Sequence, residues 1–321
     1  RRYEVLSDYS FAVGKDPRLI KHRYRLRLTE PWFLGIRMPV TLTGELQPRT
    51  KDAVQEFDKR SWSGAAVITK WFARKVRFIV GVEYQFVKIS GASPEIIAEA
   101  KTLEGNSARR KLYGSFRRDS RDDIFVPRSG SVTELSGEYY GGFLKGDVNF
   151  FKLQAEWSRY RVIWPGWVSA TRLRLGWAEA FSETPSVPLD EALYLGGANT
   201  VRGFEENRLG PLREDGTPAG ARYIAVFNQE FRWKTVQVFN VLPLVGDIFE
   251  TMPLWQSAFV DVGNGFRTKQ EIRLDNVAVS FGTGLQIISP AGPIRFDYAR
   301  VVDSENFDFA DRWHFTILYA F

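Results

Sequence analysis

Cysteine is absent from the 321 residues, so neither a disulfide framework nor a Cys-based metal site is available. The absence suits an oxidising compartment such as the periplasm or the outer membrane, where stray thiols are a liability. Histidine is nearly absent too. His22 and His314 lie far apart and have no neighbouring ligands, which argues against zinc or a His-based catalytic centre. No apolar run reaches the ~18 residues that a transmembrane helix needs. Gly-x-Ser-x-Gly, Walker and His-Glu-x-x-His motifs are missing as well. We therefore expect no catalytic residues, no metal and no cofactor. Asp119, Asp122 and Asp123 fit no calcium loop spacing and read as a turn.

Aromatic residues, by contrast, make up 15% of the chain and include ten tryptophans. That is high for a soluble domain and suits a barrel with aromatic girdles at the two membrane interfaces. The net charge of +6 could be a solvated surface or a nucleic-acid footprint. The spacing favours a third reading, because many arginines fall at every second position of apolar runs, on one face. Arg23, Arg25 and Arg27 alternate with Tyr24, Leu26 and Leu28. Val76, Phe78, Val80, Val82, Tyr84 and Phe86 oppose Arg77, Glu83 and Gln85. Val277, Val279, Phe281, Leu285 and Ile287 oppose Ala278, Ser280, Gly282, Gly284 and Gln286. A chain without transmembrane helices spans a membrane only as a closed barrel, and this dyad pattern is the signature of one. No nucleic-acid partner is expected.

Fourteen strand-like runs are legible: 3–14, 20–30, 35–47, 60–73, 76–90, 108–119, 131–143, 147–162, 168–181, 220–235, 255–266, 275–288, 292–302 and 311–321. They are longer than the strands of a soluble β-sandwich, the competing all-β fold. Lys145-Gly146-Asp147 and Pro290-Ala291-Gly292 read as tight turns, and 49–59, 91–107 and 182–219 as long loops. Within 91–107, Ser93, Pro94 and Glu95 have the chemistry of a short helix start. With the C-terminus on the periplasmic side, 91–107 and 182–219 fall outside the cell. The apolar connection 236–254 breaks the rule of short periplasmic turns. Arg1-Arg2-Tyr3 begins in mid-strand style, so a mature fragment is expected.

Alternation stops at Leu195–Phe204. Gly196 and Gly197 allow backbone conformations closed to other residues, and Val201, Arg202, Gly203 and Phe204 follow. A loop of this kind can fold into a lumen and hold its arginine against wall carboxylates. An exposed Gly-rich turn is the competing reading. Val226, Asn228, Glu230 and Arg232 share one strand face, and Asp261 shares another with Phe259 and Gly263. Glu230 and Asp261 are the candidate partners, since one guanidinium can bridge two carboxylates. Otherwise they line a wet lumen.

Together these motifs resemble the barrel of the BamA/TamA superfamily of outer-membrane assembly and translocation proteins. Gly196-Gly197-Ala198-Asn199-Thr200-Val201-Arg202-Gly203-Phe204 is similar to that family's VRGF loop. Arg118–Asp123 with Pro127–Gly130 resembles its hairpin before the middle strands, and Glu30–Gly35 an early periplasmic turn. Phe259–Gly263 resembles the strand that receives the arginine, and Gly282–Tyr298 the penultimate hairpin. The likeness covers nearly the whole chain. It implies an all-β transmembrane antiparallel β-barrel of sixteen strands, of which about fourteen are identifiable. Residues 1–321 are then the barrel domain, with POTRA domains and the first two strands absent from this chain. A natural fourteen-stranded variant is the alternative.

The resemblance further implies a bacterial outer-membrane insertase that folds other outer-membrane proteins through a lateral gate. Its partners would be nascent outer-membrane proteins, membrane lipid and accessory assembly-machine lipoproteins. Trp313, Phe315, Ile317, Tyr319 and Phe321 would be the C-terminal signal and gate strand. Leu318 stands where BamA-like proteins often carry a kinked glycine, and leucine bends there less freely. A TamA-like or two-partner-secretion translocation pore is the rival. A passive porin has no need of the arginine loop, and an enzyme fused upstream is a further alternative.

Refolding residues 1–321 alone into detergent is expected to give aggregates or dimers, because the first strand would present an unpaired edge. A monodisperse monomer whose gel mobility shifts on heating would establish a natural fourteen-stranded barrel instead.

Overall fold

The computed structural model describes residues 1–12, 18–51, 57–91, 105–214, 216–235, 254–289, 292–302 and 311–317. Among them are fourteen strands: β1 (Arg2–Ala12), β2 (Arg18–Glu30), β3 (Val40–Lys51), β4 (Asp58–Ala73), β5 (Val76–Ser90), β6 (Gly105–Asp119), β7 (Gly130–Tyr140), β8 (Phe150–Trp164), β9 (Trp167–Ala180), β10 (Tyr223–Lys234), β11 (Leu254–Phe266), β12 (Ala278–Ser289), β13 (Gly292–Val301) and β14 (Asp311–Ile317). They form one sheet in chain order, each strand beside the next in sequence, with β1 and β14 at the two ends of the order. A sheet of antiparallel neighbours needs only hairpin connections. The expected helix at Ser93–Glu95, the apolar 236–245 stretch and the Pro290-Ala291 turn lie outside the described residues.

The dyad pattern sets the two faces. Tyr24, Leu26, Phe78, Val80, Val82 and Tyr84 are exposed, while Arg23, Arg25, Arg77 and Glu83 are partly covered on the opposite face. The same holds in β12, where Phe281 and Leu285 are exposed and Ala278, Ser280, Gly284 and Gln286 are buried. An exposed apolar face opposite a covered polar one is inverted relative to a water-soluble sheet, and it is what a transmembrane strand requires.

Several boundaries differ from the sequence expectation for local reasons. The third strand starts at Val40 rather than residue 35, because Phe33 and Ile36 close a tight bridge, each N–H bonding the other's carbonyl at 3.0 Å. Leu34 and Gly35 occupy positive φ within that turn. The seventh stops at Tyr140, since Gly141 and Gly142 also take positive φ and lead into a 3-10 turn. The twelfth starts at Ala278, after a 3-10 turn at Leu274–Asn276.

The chain forms two compact units. The first comprises Arg1–Arg117, Leu135–Gln154 and Trp177–Ala192. Its covered face is charged and locally neutralised: Arg27 pairs with its cross-strand neighbour Glu4, and Arg25 with Glu45, both at 3.1 Å. Phe57, Val87 and Ile89 form an apolar cluster with Leu189, and the Tyr140 and Phe150 rings stack at 4.0 Å. The second unit comprises Arg118–Glu134, Ala155–Gly176 and Leu193–Phe321. Here β10 and β11 are in register over their full length, with Asn228 opposite Asp261 and Glu230 opposite Phe259.

In the second unit, residues 120–131 form a turn that consumes its own carboxylates. Asp122 Oδ1 accepts N–H bonds from Arg128 and Ser129, and Asp123 Oδ1 from Phe125 and Val126. Burial pushes the Asp122 carboxyl up, but the N–H bonds from Ser129 and Arg128 outweigh it and hold it below its ordinary value. The turn reading of these aspartates therefore has a direct structural basis.

Val82→Arg, on the exposed face near the middle of β5, is expected to cost ~2–4 kcal/mol of barrel stability, whereas Gln85→Arg on the covered face should be tolerated. Urea unfolding in lipid vesicles checks this. Equal losses would show that the exposed apolar face is not the lipid face.

Candidate functional site

The stretch Leu195–Phe204 that carries the arginine sits wholly within the second unit. Gly196 and Gly197 take φ of 106° and 94°. A Cβ on Gly196 would collide with the Glu205 carbonyl, so the sharp reversal needs glycine there. The Gly196 N–H bonds Thr200 Oγ1 at 2.9 Å, which closes the turn on itself. Asn228 Nδ2 donates to the Thr200 carbonyl and Arg172 Nη2 to the Asn199 carbonyl, both at 2.7 Å. Val201 is fully buried beside Gly263, and Phe204 is half-buried.

These contacts deliver Arg202 to the covered faces of β10 and β11. Its Nε and Nη2 bond the two oxygens of Asp261 at 2.6 and 2.7 Å, a bidentate fork. Nη1 bonds Glu230 Oε2 at 3.0 Å, and the backbone N–H of Arg202 adds a bond to Asp261 at 3.1 Å. Its guanidinium carbon lies 3.3 Å from the centre of the Phe259 ring, a stacked cation–π contact. Arg202 is 5% exposed, Glu230 1% and Asp261 0%. The structure thus brings together the loop arginine and both carboxylates expected from the sequence.

It also adds three members that sequence reasoning did not assign. Arg295 on β13 bonds Glu230 with both Nη atoms, at 3.0 and 2.7 Å, and Asp297 with Nε at 2.7 Å. Asp297 lies 3.6 Å from Arg202 Nη1. Arg232 Nε bonds Glu230 at 2.6 Å. Three guanidinium and three carboxylate groups leave the buried set neutral. The signal existed: Arg295 and Asp297 flank outward Phe296 two residues apart, but that alternation matches many lumen-facing pairs. The neighbouring strand makes room, since a Cβ on Gly282 would meet the Phe259 ring and one on Gly284 would meet Asp297.

A second charged cluster, absent from the sequence expectation, lies in the first unit at the start of the same loop. Asp190 Oδ2 accepts from Lys59 and Arg109, and Glu191 accepts from Lys152 at 2.8 Å. Lys152 and Lys111 also face Glu138, at 3.7 and 3.6 Å. Asp190 and Glu191 stand in a stretch without periodicity, so nothing local marked them.

On the last strand, Trp313, Phe315 and Ile317 are exposed to 77%, 56% and 55% and share one face. Tyr319 and Phe321, and Leu318 between them, lie outside the described residues. Among the described residues no group of three His, Asp or Glu side chains could hold a metal ion.

An antiparallel sheet with an apolar exposed face, and an arginine loop held by acidic residues of its covered face, defines a class: transmembrane β-barrels of the outer-membrane type that carry an inserted loop. The chain belongs to the Omp85 superfamily, as a BamA-like member, with residues 11–321 matching the Omp85 superfamily domain. It is 28% identical over 222 residues to the outer membrane protein assembly factor BamA of Nitratidesulfovibrio vulgaris, covering 68% of this chain and 26% of that protein. It is 26% identical over 250 residues to the sorting and assembly machinery component 50 homolog A of Xenopus laevis, covering 74% of this chain and 48% of the relative. The chain thus spans about a quarter to a half of the length of these relatives. Its fold is similar to the crystal structure of BamA from Haemophilus ducreyi lacking POTRA domains 1–3, with a TM-score of 0.77 and 18% identity over 93% of this chain and 62% of that one. That likeness carries the barrel architecture.

Arg202→Ala is expected to lower barrel stability by ~3–5 kcal/mol, the cost of leaving buried charges unpaired. Arg213→Ala in the same loop should do little, because Arg213 bonds Thr217 and Pro218 close by in the chain. Gel mobility with and without heating checks both. Equal effects would show that Arg202 has no special partners.

Proposed function

We propose that the protein is an assembly factor that inserts other β-barrel proteins into the outer membrane through a lateral gate. The observation that carries the reading is the loop: Arg202 is driven into a neutral buried set on β10, β11 and β13, which braces the barrel wall. The bacterial outer membrane as its location follows from the superfamily match and the BamA-like barrel. The names of the relatives, an assembly factor and a sorting and assembly component, support the same reading.

The mechanism needs no covalent chemistry. In lipid every backbone polar group must be paired, and an exposed strand edge is a template for another strand. The first and last strands pair weakly, the seam opens, and the edge offers hydrogen bonds to a client strand by β-augmentation. Trp313, Phe315 and Ile317 remain in lipid whether or not the backbone beside them is paired. Their hydrophobic energy therefore does not lock the seam; only hydrogen bonds of ~1 kcal/mol each do. Gly196, Gly197, Val201, Gly203 and Phe204 shape the brace, and Glu230 and Asp261 hold its arginine. The partners are nascent outer-membrane proteins and lipid, with accessory assembly-machine lipoproteins. A TamA-like or two-partner-secretion pore is the alternative; the relatives' names favour assembly over it.

A cysteine at Thr316 of the full-length protein, cross-linked to its first barrel strand, is expected to stop client insertion into vesicles while the barrel stays folded. Insertion at the normal rate with the seam locked would reject the lateral gate. The pore reading would then lead, since a pore conducts its substrate through the lumen.

A further inference from the structure

The arginine loop also touches the last strand. The Gly203 N–H donates to His314 Nε2 at 2.8 Å. A backbone N–H can only donate, so Nε2 must be the acceptor and the imidazole must be neutral, with its proton on Nδ1. The contact is a close one. Gly203 has φ of 96°, and a Cβ there would stand 2.8 Å from the Val301 side chain. Glycine lets the backbone reach the imidazole, and the next residue towards the N-terminus is Arg202 itself.

We infer that His314 is a positioning residue that couples the arginine brace to the last strand, engaged when neutral and released when protonated. The inference rests on the proposed gate. His314 is opposite Asp297 in the β13–β14 register. The Gly203–His314 bond thus joins the loop to the strand whose neighbour holds part of the ionic set. When β14 moves, or when Nε2 gains a proton, the Gly203 N–H loses its acceptor. The charged groups facing His314 are Asp297 on β13, Asp261 on β11, Arg202 in the loop and Arg312 on its own strand. Arg312 in turn pairs with Glu205, two residues after Gly203, at 2.8 Å. Carboxylates and guanidinium groups of both signs surround the imidazole. A proton arriving at Nε2 therefore removes an acceptor without placing the ring among charges of one sign.

The test uses the full-length protein in lipid vesicles. Amide hydrogen exchange of the peptide containing Gly203 is followed at pH 8 and pH 4.5, corrected for intrinsic rates, alongside insertion of a client barrel. Wild-type protection is expected to fall roughly fivefold at pH 4.5, the loss of one hydrogen bond. His314→Gln, which keeps an acceptor at the same reach and does not titrate, should retain protection at both pH values. His314→Leu should lose it at both. The rate of client insertion should depend on pH in the wild type and lose that dependence in both variants. Equal Gly203 protection in wild type and His314→Leu would overturn the contact, and an unchanged pH dependence of insertion in His314→Gln would overturn the coupling. Absence of any client insertion by the wild type counts against the assembly reading instead, and the exchange measurements then still decide the contact.

Discussion

A guanidinium stripped of water is the constraint around which the second unit is built. Transferring Arg202 into a buried site is prohibitive unless its charge and its N–H groups are met. Asp261 meets it with a two-point fork and Glu230 with a third bond. Yet two carboxylates buried against one arginine would leave negative charge uncompensated, so Arg295 and Arg232 are drawn in on Glu230, and Asp297 on Arg295. The set is neutral only as six. Its members come from the loop, β10, β11 and β13, so the loop cannot dock unless three strands are in register. Conversely, β12 contributes no charge but is shaped by the set: glycines at 282 and 284 leave the volume that Phe259 and Asp297 fill. The small-residue face of that strand is thus a consequence of the ionic site beside it.

The same loop makes its two buried ionic contacts with charges of opposite sign. Its first part supplies acid, with Asp190 and Glu191 each meeting basic residues of β4, β6 and β8 inside the first unit. Further along, Arg202 meets acidic residues inside the second. A loop that carried one sign throughout would need walls of the opposite sign over its whole course, which would repel one another when it left. Mixed polarity lets each unit neutralise its own stretch. Leu189 adds an apolar anchor next to Asp190, packed with Phe57, Val87 and Ile89.

How much of this was legible differs by the range of the interaction. Strand number and facing follow from period two along the chain, a local signal, and all fourteen strands were readable, with differences confined to strand ends: Gly141, Gly142, the 33–36 turn and the turn at Leu274–Asn276 cut runs short, while β3 and β6 extend into stretches read as loop. Glu230 and Asp261 stood out because an acidic residue on the minority face of an apolar strand needs a partner, and an arginine in a glycine turn offers one. Arg295 and Asp297, two residues apart on one face, can pair with each other, so their part in the set depends on register across β10 to β13. The Gly203–His314 contact joins a backbone amide to a side chain 111 residues away. Backbone donors carry no sequence label, so no pattern of residue types could have announced it.

The site distributes its strength unevenly. Buried, charge-assisted bonds fix the loop to β10, β11 and β13, and breaking such a set costs several kcal/mol. Toward β14 the loop offers a neutral N–H to imidazole bond and an Arg312–Glu205 pair with both side chains substantially exposed, contacts worth ~1 kcal/mol or less each. On the proposed reading this grading is what a gate requires. The strands that must stay together share an ionic set that none can leave alone. The strand that must separate is held by its backbone ladder and by contacts weak enough to be exchanged for those of an incoming strand. Had the last strand supplied a carboxylate to the fork on Arg202, opening the seam would uncover a buried charge, and the brace and the gate would fail together.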